Sequence, residues 1–253
     1  YRGIHFLRTD SCKINYNKIR INTDHPDATG IETVSIYVCD VIGNDIVVRA
    51  ADYAQGVDLW IYSKCLFANN MVSIPKPSSH QQNHSRIRYS NGIKIINNNF
   101  FGRHQDSSES IFEIDDFYND MVLKNNCFVN DGDGYALELT NTPTRSNNNF
   151  YGGSGTRNVL GTAQGANGLN VDPFYLSDTN LHVQCGALKG QAVADTDLPL
   201  DFDGDTRHAS NPDIGADEVS LNSVDVAINE ITTNGGCAGG SASVYVDLRN
   251  VGV

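Results

Sequence analysis

Asn97-Asn-Asn-Phe-Phe-Gly102 is the stretch that decides the fold of this chain, because variants of it recur along the first 152 residues. The clearest variants are Asn125-Asn-Cys-Phe-Val-Asn130 and Asn147-Asn-Asn-Phe-Tyr-Gly152, and weaker ones are Asp40-Val-Ile-Gly-Asn44 and Cys65-Leu-Phe-Ala-Asn69. Markers taken from one apolar residue per copy are 22 to 34 residues apart, namely Ile14, Val41, Leu66, Phe100, Phe128 and Phe150. Repeats of this length indicate units that bury their apolar faces by stacking on their neighbours.

The segments between the copies alternate apolar and polar residues, as in Tyr135, Leu137 and Leu139. A period of two predicts strands, and it argues against helical repeats, which need apolar residues at i, i+3 and i+4. Asn and Gly follow the strands, and both tolerate left-handed backbone at a sharp corner. The sequence therefore predicts an all-β fold, a right-handed parallel β-helix (solenoid) with one coil per repeat.

Residues at the same position of stacked coils form columns along the axis of such a solenoid. We expect one polar column just before each corner, made of Cys12, Cys39, Lys64, Asn98, Asn126 and Asn148. An Asn in this column can bond to the backbone and to the Asn one coil away, which satisfies polar groups that a corner would leave buried and unpaired. These columns are interpreted as structural, with the apolar column beside them filling the interior.

Composition restricts the classes of partner. The chain has 253 residues, a net charge of −12, and 18 Lys and Arg against 30 Asp and Glu. Nucleic acid is excluded as a partner because phosphate binding needs a cluster of basic residues, and these are scattered. No apolar run is long enough to predict a membrane span.

Six cysteines lie at positions 12, 39, 65, 127, 185 and 237, without the spacing of a zinc site. We expect those in the coils to be small buried hydrophobic residues, since stacked strands align their Cβ vectors. A disulfide is the less favoured interpretation.

Three regions are predicted along the chain. Residues 1–155 carry the coils, with an excursion at 75–84 that accounts for the longest interval. Residues 156–218 lose the Asn repeat and are expected to form a C-terminal cap over the last coil. Residues 219–253 are a linker followed by Val224–Ile228 and Ala242–Leu248, the first strands of a truncated β-sandwich module. The abrupt ends of the sequence predict that it is part of a larger multidomain chain.

The region before residue 219 carries a family resemblance. Asp201-Phe-Asp-Gly-Asp-Thr-Arg207 and Pro212-Asp-Ile-Gly-Ala-Asp-Glu218, preceded by Asn170-Val-Asp-Pro-Phe174, resemble the ending of bacterial right-handed parallel β-helix proteins of the choice-of-anchor Q type. The following strand pair resembles the Ig-like or CARDB-like modules that often follow such β-helices in secreted proteins of Bacteroidetes-like bacteria. The resemblance implies an extracellular or cell-surface location, and it implies no single activity.

Asp201, Asp203 and Asp205 alternate around Gly204 in a pattern similar to the first half of a calcium loop. The pattern lacks the bidentate Glu and the flanking helices of a complete EF-hand. No cofactor is required by the sequence, and calcium is the one candidate. The favoured interpretation is a hydrogen-bonded turn in which Asp213 or Glu218 pairs with Arg207.

A second candidate site follows from the repeat: Arg88, Glu113, Asp115 and Glu138 occupy equivalent strands and should share one outward strip, with Arg86 beside them. Carboxylates with an Arg are what a lyase of uronate polysaccharides needs, whereas charges alternating on neighbouring strands also make an ordinary solvated face. Trp60, Tyr62, Tyr118 and Tyr151 are candidates for stacking on sugar rings. The leading interpretation is a rigid adhesion or glycan-contact scaffold without catalysis, and the alternative is a polysaccharide lyase or glycosidase acting on an acidic glycan.

Overall fold

A computed structural model describes residues 1–78, 84–88, 91–115, 120–140, 143–152, 159–160, 165–219, 226–233 and 244–250. Within these ranges the chain forms a parallel β-solenoid with three faces, each a parallel sheet. The described residues contain no α-helix, and their one helical turn is a 3-10 turn at Gly186–Leu188. The predicted all-β parallel solenoid is confirmed.

Each coil contributes one strand to each sheet, so neighbours in a sheet come from consecutive coils. Sheet A consists of β1 (Arg2–Leu7), β4 (Asp27–Ile36), β7 (Tyr53–Ile61), β10 (Ser85–Arg88), β13 (Phe112–Asp115), β16 (Leu137–Leu139) and β19 (Val159–Leu160). Sheet B consists of β2 (Ser11–Asn15), β5 (Val38–Ile42), β8 (Cys65–Ala68), β11 (Ile93–Ile96), β14 (Val122–Lys124) and β17 (Thr144–Ser146). Sheet C consists of β3 (Lys18–Asn22), β6 (Asp45–Arg49), β9 (Met71–Ser78), β12 (Asn99–His104), β15 (Cys127–Asn130) and β18 (Asn149–Gly152).

The interior contains a stack of phenylalanine rings. Phe100, Phe128 and Phe150 are in register on sheet C, with ring centroids 4.6 and 5.4 Å apart and nearly parallel planes. Phe67 continues the stack from sheet B, 5.9 Å from Phe100. Each ring is at most 2% exposed, and burying such a side chain stabilises the fold by roughly 1.5 to 3 kcal/mol.

A ladder of asparagines runs beside this stack. The side-chain Nδ2 of every member except the last donates to Oδ1 of the Asn one coil later, at 2.9 to 3.0 Å, and the backbone N–H donates to the same oxygen. Its members are Asn17, Asn44, Asn70, Asn98, Asn126 and Asn148. The ladder satisfies buried corner groups as expected, because the Nδ2 groups also donate to backbone carbonyls such as Val41 O and Phe67 O.

The first three members of the predicted column were wrong. Cys12 and Cys39 lie within sheet B, and Asn17, Asn44 and Asn70 take the ladder positions of the first three coils. The ladder spacings are 27, 26, 28, 28 and 22 residues. The interval of 34 residues between Leu66 and Phe100 arose because Leu66 lies in sheet B and Phe100 in sheet C. The ladder spacing therefore needs no insertion to explain it. Residues 79–83 of the predicted excursion lie outside the described ranges.

The expectation of free cysteines in the first two coils was also wrong, because Cys12 and Cys39 form a disulfide. They are directly paired on β2 and β5, and their Cα atoms are 4.8 Å apart. This distance lies within the range that a disulfide spans, so neighbouring coils in register can be joined by rotation of the side chains alone. Cys65, the next member of this column, is a buried free thiol, as are Cys127 and Cys185, whereas Cys237 lies outside the described residues.

Residues 165–219, called the return segment below, begin on the last coil and then run back along the solenoid. Ala166 and Leu169 form bridges to Ser146 and Asn149 at the end of the solenoid. Most of the segment lies against the outer face of sheet C, and Leu198 packs on Ala68 and Ile96 of sheet B. On sheet C it encloses a second apolar cluster, which includes Met71, Phe101, Cys127 and Val129 from the sheet and Leu181, Val183, Leu188, Ile214 and Ala216 from the segment. The sequence predicts a cap over the last coil; the structure shows a cover that runs along one side of the solenoid.

A second asparagine column anchors the return segment at the corners between sheets B and C. Asn69, Asn97, Asn125 and Asn147 have φ angles of 52° to 59°, the left-handed conformation that Asn tolerates better than most residues. Their side chains point outward, where Asn69, Asn125 and Asn147 donate to the carbonyls of Leu200, Val193 and Gln191 at 2.8 Å. Asn125 also accepts a hydrogen bond from the backbone N–H of Val193.

The last strands are β20 (Val226–Thr233) and β21 (Val244–Asn250), which pair with each other in antiparallel fashion. They overlap the strands that the sequence predicts at 224–228 and 242–248, and residues 234–243 between them lie outside the described ranges. Among the described residues, no helix has the length and hydropathy needed to cross a membrane.

Candidate functional site

The outer face of sheet A carries the charges that the repeat predicts. In β10, β13 and β16 buried and partly exposed residues alternate, so every second side chain points outward. The register pairs Asp58 with Arg86, Arg86 with Glu113, and Glu113 with Glu138, while Arg88 lies between Trp60 and Asp115. We call this surface the charged strip; its charged members are Asp58, Arg86, Arg88, Glu113, Asp115 and Glu138.

Arg88 is held by a carboxylate that the sequence analysis missed. Its Nη2 donates to both oxygens of Asp58 at 2.9 Å, and its guanidinium carbon lies 5.6 Å from the ring centroid of Trp60. Arg86 lies 3.5 Å from the same carboxylate. The repeat could have predicted this position, because Asp58 is paired in register with Arg86 on the strand of the preceding coil.

Glu113 and Glu138 are neighbours on adjacent strands, and their surroundings differ. Nε2 of His84 lies 3.0 Å from Glu113 Oε2, and this contact lowers the pKa of the Glu113 carboxyl. Burial raises the pKa of Glu138, and the charge of Glu113 raises it further. Burial also raises the pKa of Glu109 on the same side. The pKa of Glu113 is thus lowered, while the pKa values of the neighbouring Glu138 and Glu109 are raised.

The four predicted catalytic residues share one face and do not converge. Arg88 is paired with Asp58, Glu113 with His84, and Asp115 accepts a hydrogen bond from the Thr140 hydroxyl at 3.1 Å. Across the described ranges, no three carboxylate or histidine ligand atoms of the strip lie within 4.8 Å of one another. The described residues of the strip therefore form no preformed site in which three ligands could share one cation.

A row of aromatic side chains borders the strip where sheet A ends. Tyr37 and Tyr62 directly follow β4 and β7, are 57% and 43% exposed, and have ring centroids 5.8 Å apart. Trp60 extends the row, 6.3 Å from Tyr62 and beneath Arg88. Tyr37 and Tyr62 also line a shallow cavity of about 500 Å³ together with Arg8, Thr9, Asp10 and Ser35. Tyr151 instead packs against the return-segment cluster, and Tyr118 lies outside the described residues.

The three aspartates proposed from sequence for calcium have separate partners. Oδ1 of Asp201 accepts the backbone N–H groups of Asp203 and Asp205, and its Oδ2 accepts that of Glu218, at 2.8 to 3.0 Å. Asp203 lies 3.0 Å from His182 through Oδ2 and Nε2, and Asp205 is exposed. These three donors hold the Asp201 carboxylate as the cap of a turn.

The ion pair expected of that turn is present and buried. Arg207 is 3.2 Å from Glu218, and its Nη2 donates to Asn69 Oδ1 and to the carbonyls of Gly215 and Ala216. Arg207 thereby joins the end of the return segment to a corner of the solenoid. Near it, burial followed by the charges of Asp201 and Asp203 raises the pKa of Asp217 to about 8.

Comparison of the chain with protein-family models, with curated proteins and with solved structures gives no match. The function is therefore argued from these surfaces.

Proposed function

We propose that this solenoid is a rigid, non-catalytic surface for contact with extracellular glycans. The observation that carries the proposal is the aromatic row beside the charged strip, in which Tyr37 and Tyr62 are exposed and line the shallow cavity and Trp60 is partly exposed. Exposed aromatic faces have an apolar body and a polar end, which suits the mixed surface of a sugar ring. Neighbouring Arg8, Asp10 and Ser35 provide donors and acceptors for hydroxyl or carboxylate groups.

The interactions within the strip support a scaffold. Nη2 of Arg88 donates to both oxygens of Asp58, and His84 lies against Glu113, so these charged groups are held within the sheet by their neighbours. Ion pairs of this kind make a solvated sheet face at modest energetic gain. The stacked coils beneath them fix the spacing of the aromatic row, which lowers the entropic cost of binding an extended polymer.

An extracellular location is part of the proposal. The Cys12–Cys39 disulfide supports it, because such bonds persist in oxidising compartments and are rare in the cytosol. The resemblance to choice-of-anchor Q β-helices supports the same location, and with it membership of a larger multidomain, surface-sorted chain.

A polysaccharide lyase or glycosidase is the second candidate, and the Glu113 and Glu138 pair favours it. Their pKa values are shifted in opposite directions, which is how a carboxylate base and a carboxylic acid coexist in one site. On this alternative Glu113 would act as base or nucleophile, Glu138 as acid, and Arg88 and Asp115 would position the acidic glycan.

The test is retention of the full chain on a panel of uronate and neutral polysaccharides. We expect Tyr62→Ala and Tyr37→Ala to weaken retention about tenfold each, the loss of one stacked ring, with Tyr16→Ala as the matched control. Tyr16 is 74% exposed and lies outside the row. Equal retention of all three variants and the native chain would refute the proposed surface.

The same panel tests the enzyme, with and without calcium. Lyase activity releases unsaturated sugar ends that absorb in the ultraviolet, and glycosidase activity releases reducing ends. If either product forms with the native chain and not with Glu113→Gln or Arg88→Ala, the protein is an enzyme and the scaffold proposal is wrong. Retention without product supports the scaffold.

A further inference from the structure

Three potential metal ligands from distant parts of the return segment meet at one point. One ligand atom each from His182, Asp203 and Asp217 lies within 4.8 Å of the others. Among the described residues, this is the one group of three or more such side chains that comes so close. It differs from the aspartate set that the sequence suggests for calcium, with which it shares only Asp203.

Asp217 is the first sign that this group suits a cation. Its residue is 8% exposed, and its carboxyl makes a side-chain contact with another carboxyl, that of Asp201. Its neighbours include the carboxyl groups of Asp201 and Asp203. The nearby Arg207 is already bound by Glu218 and by two carbonyls, so it offsets only part of this negative charge. Two buried carboxyl groups in contact cost free energy unless a cation or a proton compensates their charge.

His182 is the second sign, because its orientation is set from outside the group. Oδ1 of Asn180 accepts the backbone N–H of His182 at 3.4 Å and also contacts the ring Nδ1. The ring Nε2 faces Asp203 Oδ2 at 3.0 Å, so an ion bound at Nε2 would leave the Nδ1 proton hydrogen-bonded to Asn180. Histidines that bind metal ions almost always donate their other ring N–H in this way.

We propose that His182, Asp203 and Asp217 bind one divalent transition-metal ion of the zinc class. Two ligand atoms about 2.1 Å from such an ion lie roughly 3.0 to 3.4 Å apart, and the His182 and Asp203 atoms already have this separation. Imidazole with two carboxylates suits zinc and its neighbours in the first transition row, whereas calcium takes oxygen ligands. Asp203 and His182 are partly exposed, which provides the entry path.

The ion would cross-link three parts of the return segment. His182 follows the stretch that contacts Asn99, Asp203 lies in the turn after Leu200, and Asp217 lies beside the buried Arg207. One ion would thereby join three parts of the cover over sheet C. We expect metal binding to raise the melting temperature, because the ion binds the folded chain and the three ligands separate on unfolding.

The test is zinc titration of the metal-free full chain by calorimetry, with variants matched in shape. We expect one zinc ion per chain, and affinity reduced at least tenfold in His182→Gln and in Asp217→Asn. Asp217→Asn removes a buried charge and should fold at least as well as the native chain, so its loss of binding is not a loss of structure. Asp205→Asn, in the same turn and outside the group, is the control and should bind as the native chain does.

A second measurement uses the melting temperature with and without zinc. The zinc-dependent rise should be present in the native chain and in Asp205→Asn and absent in the other two variants. Unchanged affinity in His182→Gln and Asp217→Asn, or no zinc binding by the native chain below about 1 mM, would overturn the proposal. Calcium binding that is lost in Asp205→Asn and kept in His182→Gln would assign the ion to the aspartate loop instead and would equally overturn it.

Discussion

Sheets A and C are built from the same coils, yet from the third coil onward their outer faces differ. At β9, β12 and β15 the outer face of sheet C is apolar and covered by the return segment, whereas that of sheet A is charged and uncovered in the described structure. In β15 all four residues are buried, while in β13 buried and partly exposed residues alternate. A strand buried on both sides has a continuous apolar run, and a strand buried on one side alternates. The contrast teaches that the run Cys127-Phe-Val129 marks a covered face before any covering element is known.

The largest effect that would test this contrast is expected from the two arginines. Arg207→Ala should lower the free energy of unfolding by about 3 to 5 kcal/mol, because it leaves Glu218 and the carbonyls of Gly215 and Ala216 buried without their donor. Arg88→Ala on the charged strip should cost only about 1 kcal/mol, because Arg86 remains 3.5 Å from the Asp58 carboxylate and keeps it paired. Urea unfolding of both variants measures the difference, and equal losses would contradict it.

Thiol labelling distinguishes loosening of the return segment from global unfolding. Cys127 lies between sheet C and the segment, and burial raises the pKa of its thiol to about 12. Cys65 lies in the coil interior, where burial likewise raises the pKa of the thiol. In Arg207→Ala we expect Cys127 to be labelled before Cys65; simultaneous labelling would show that the cover and the coils unfold as one unit.

An intermediate effect is expected at the corner that anchors the segment. Asn125→Ala should cost about 2 to 3 kcal/mol, because it removes both hydrogen bonds to Val193 and puts Ala in left-handed backbone. Asn125→Gly removes the same hydrogen bonds without that strain, so it should cost about 1 kcal/mol less. Chemical denaturation measures both, and a Gly variant as unstable as the Ala variant would show that the backbone conformation contributes nothing.

The smallest effects are expected on the uncovered face, with opposite signs. Glu113→Gln should destabilise by about 1 kcal/mol at pH 7, because His84 loses its carboxylate, and Glu138→Gln should stabilise by about 0.5 kcal/mol, because a repelled and partly buried charge is removed. Thermal unfolding at several pH values measures both. Destabilisation by both substitutions would contradict the opposite environments of the two groups.

The pH dependence follows from the signs of the two shifts. Because the folded-state pKa of Glu113 is lowered, its contribution is complete above the ordinary Glu pKa of about 4.5 and is lost as the pH falls through the folded value. Because that of Glu138 is raised, the stability it contributes is present at acidic pH and is lost as the pH rises from about 4.5 through the folded value. The gain from Glu138→Gln should therefore vanish below about pH 4.

The solenoid was predictable from sequence because its two periods are local: the alternation of two within strands and the recurrence of the Asn corner. The columns of the first three coils were misplaced, since these coils have no Phe after the corner. The pattern of an Asn two residues before an apolar residue, as in Asn17 with Ile19 and Asn44 with Ile46, held the correct signal. The disulfide was missed because in-register strands were assumed to keep their side chains parallel.

The candidate sites were predictable only where the repeat places them. Arg88, Glu113, Asp115 and Glu138 lie on one face as expected, because register follows from coil length; their catalytic role remains a prediction. Asp58 and His84 were missed because pairing between neighbouring strands depends on side-chain rotamers. The path of the return segment has no period, so nothing in the sequence brings His182 to Asp217.

The contacts of the return segment depend on the length of the solenoid. Residues 191, 193 and 200 accept hydrogen bonds from Asn147, Asn125 and Asn69 in that order, so later residues of the segment bind earlier coils. Adding one coil of 28 residues would shift a corner by one strand spacing, about 4.8 Å, with no residue in the segment to follow it. The solenoid and the return segment therefore have to lengthen together, because both the number of coils and the spacing of the contact residues in the segment specify the length of the solenoid.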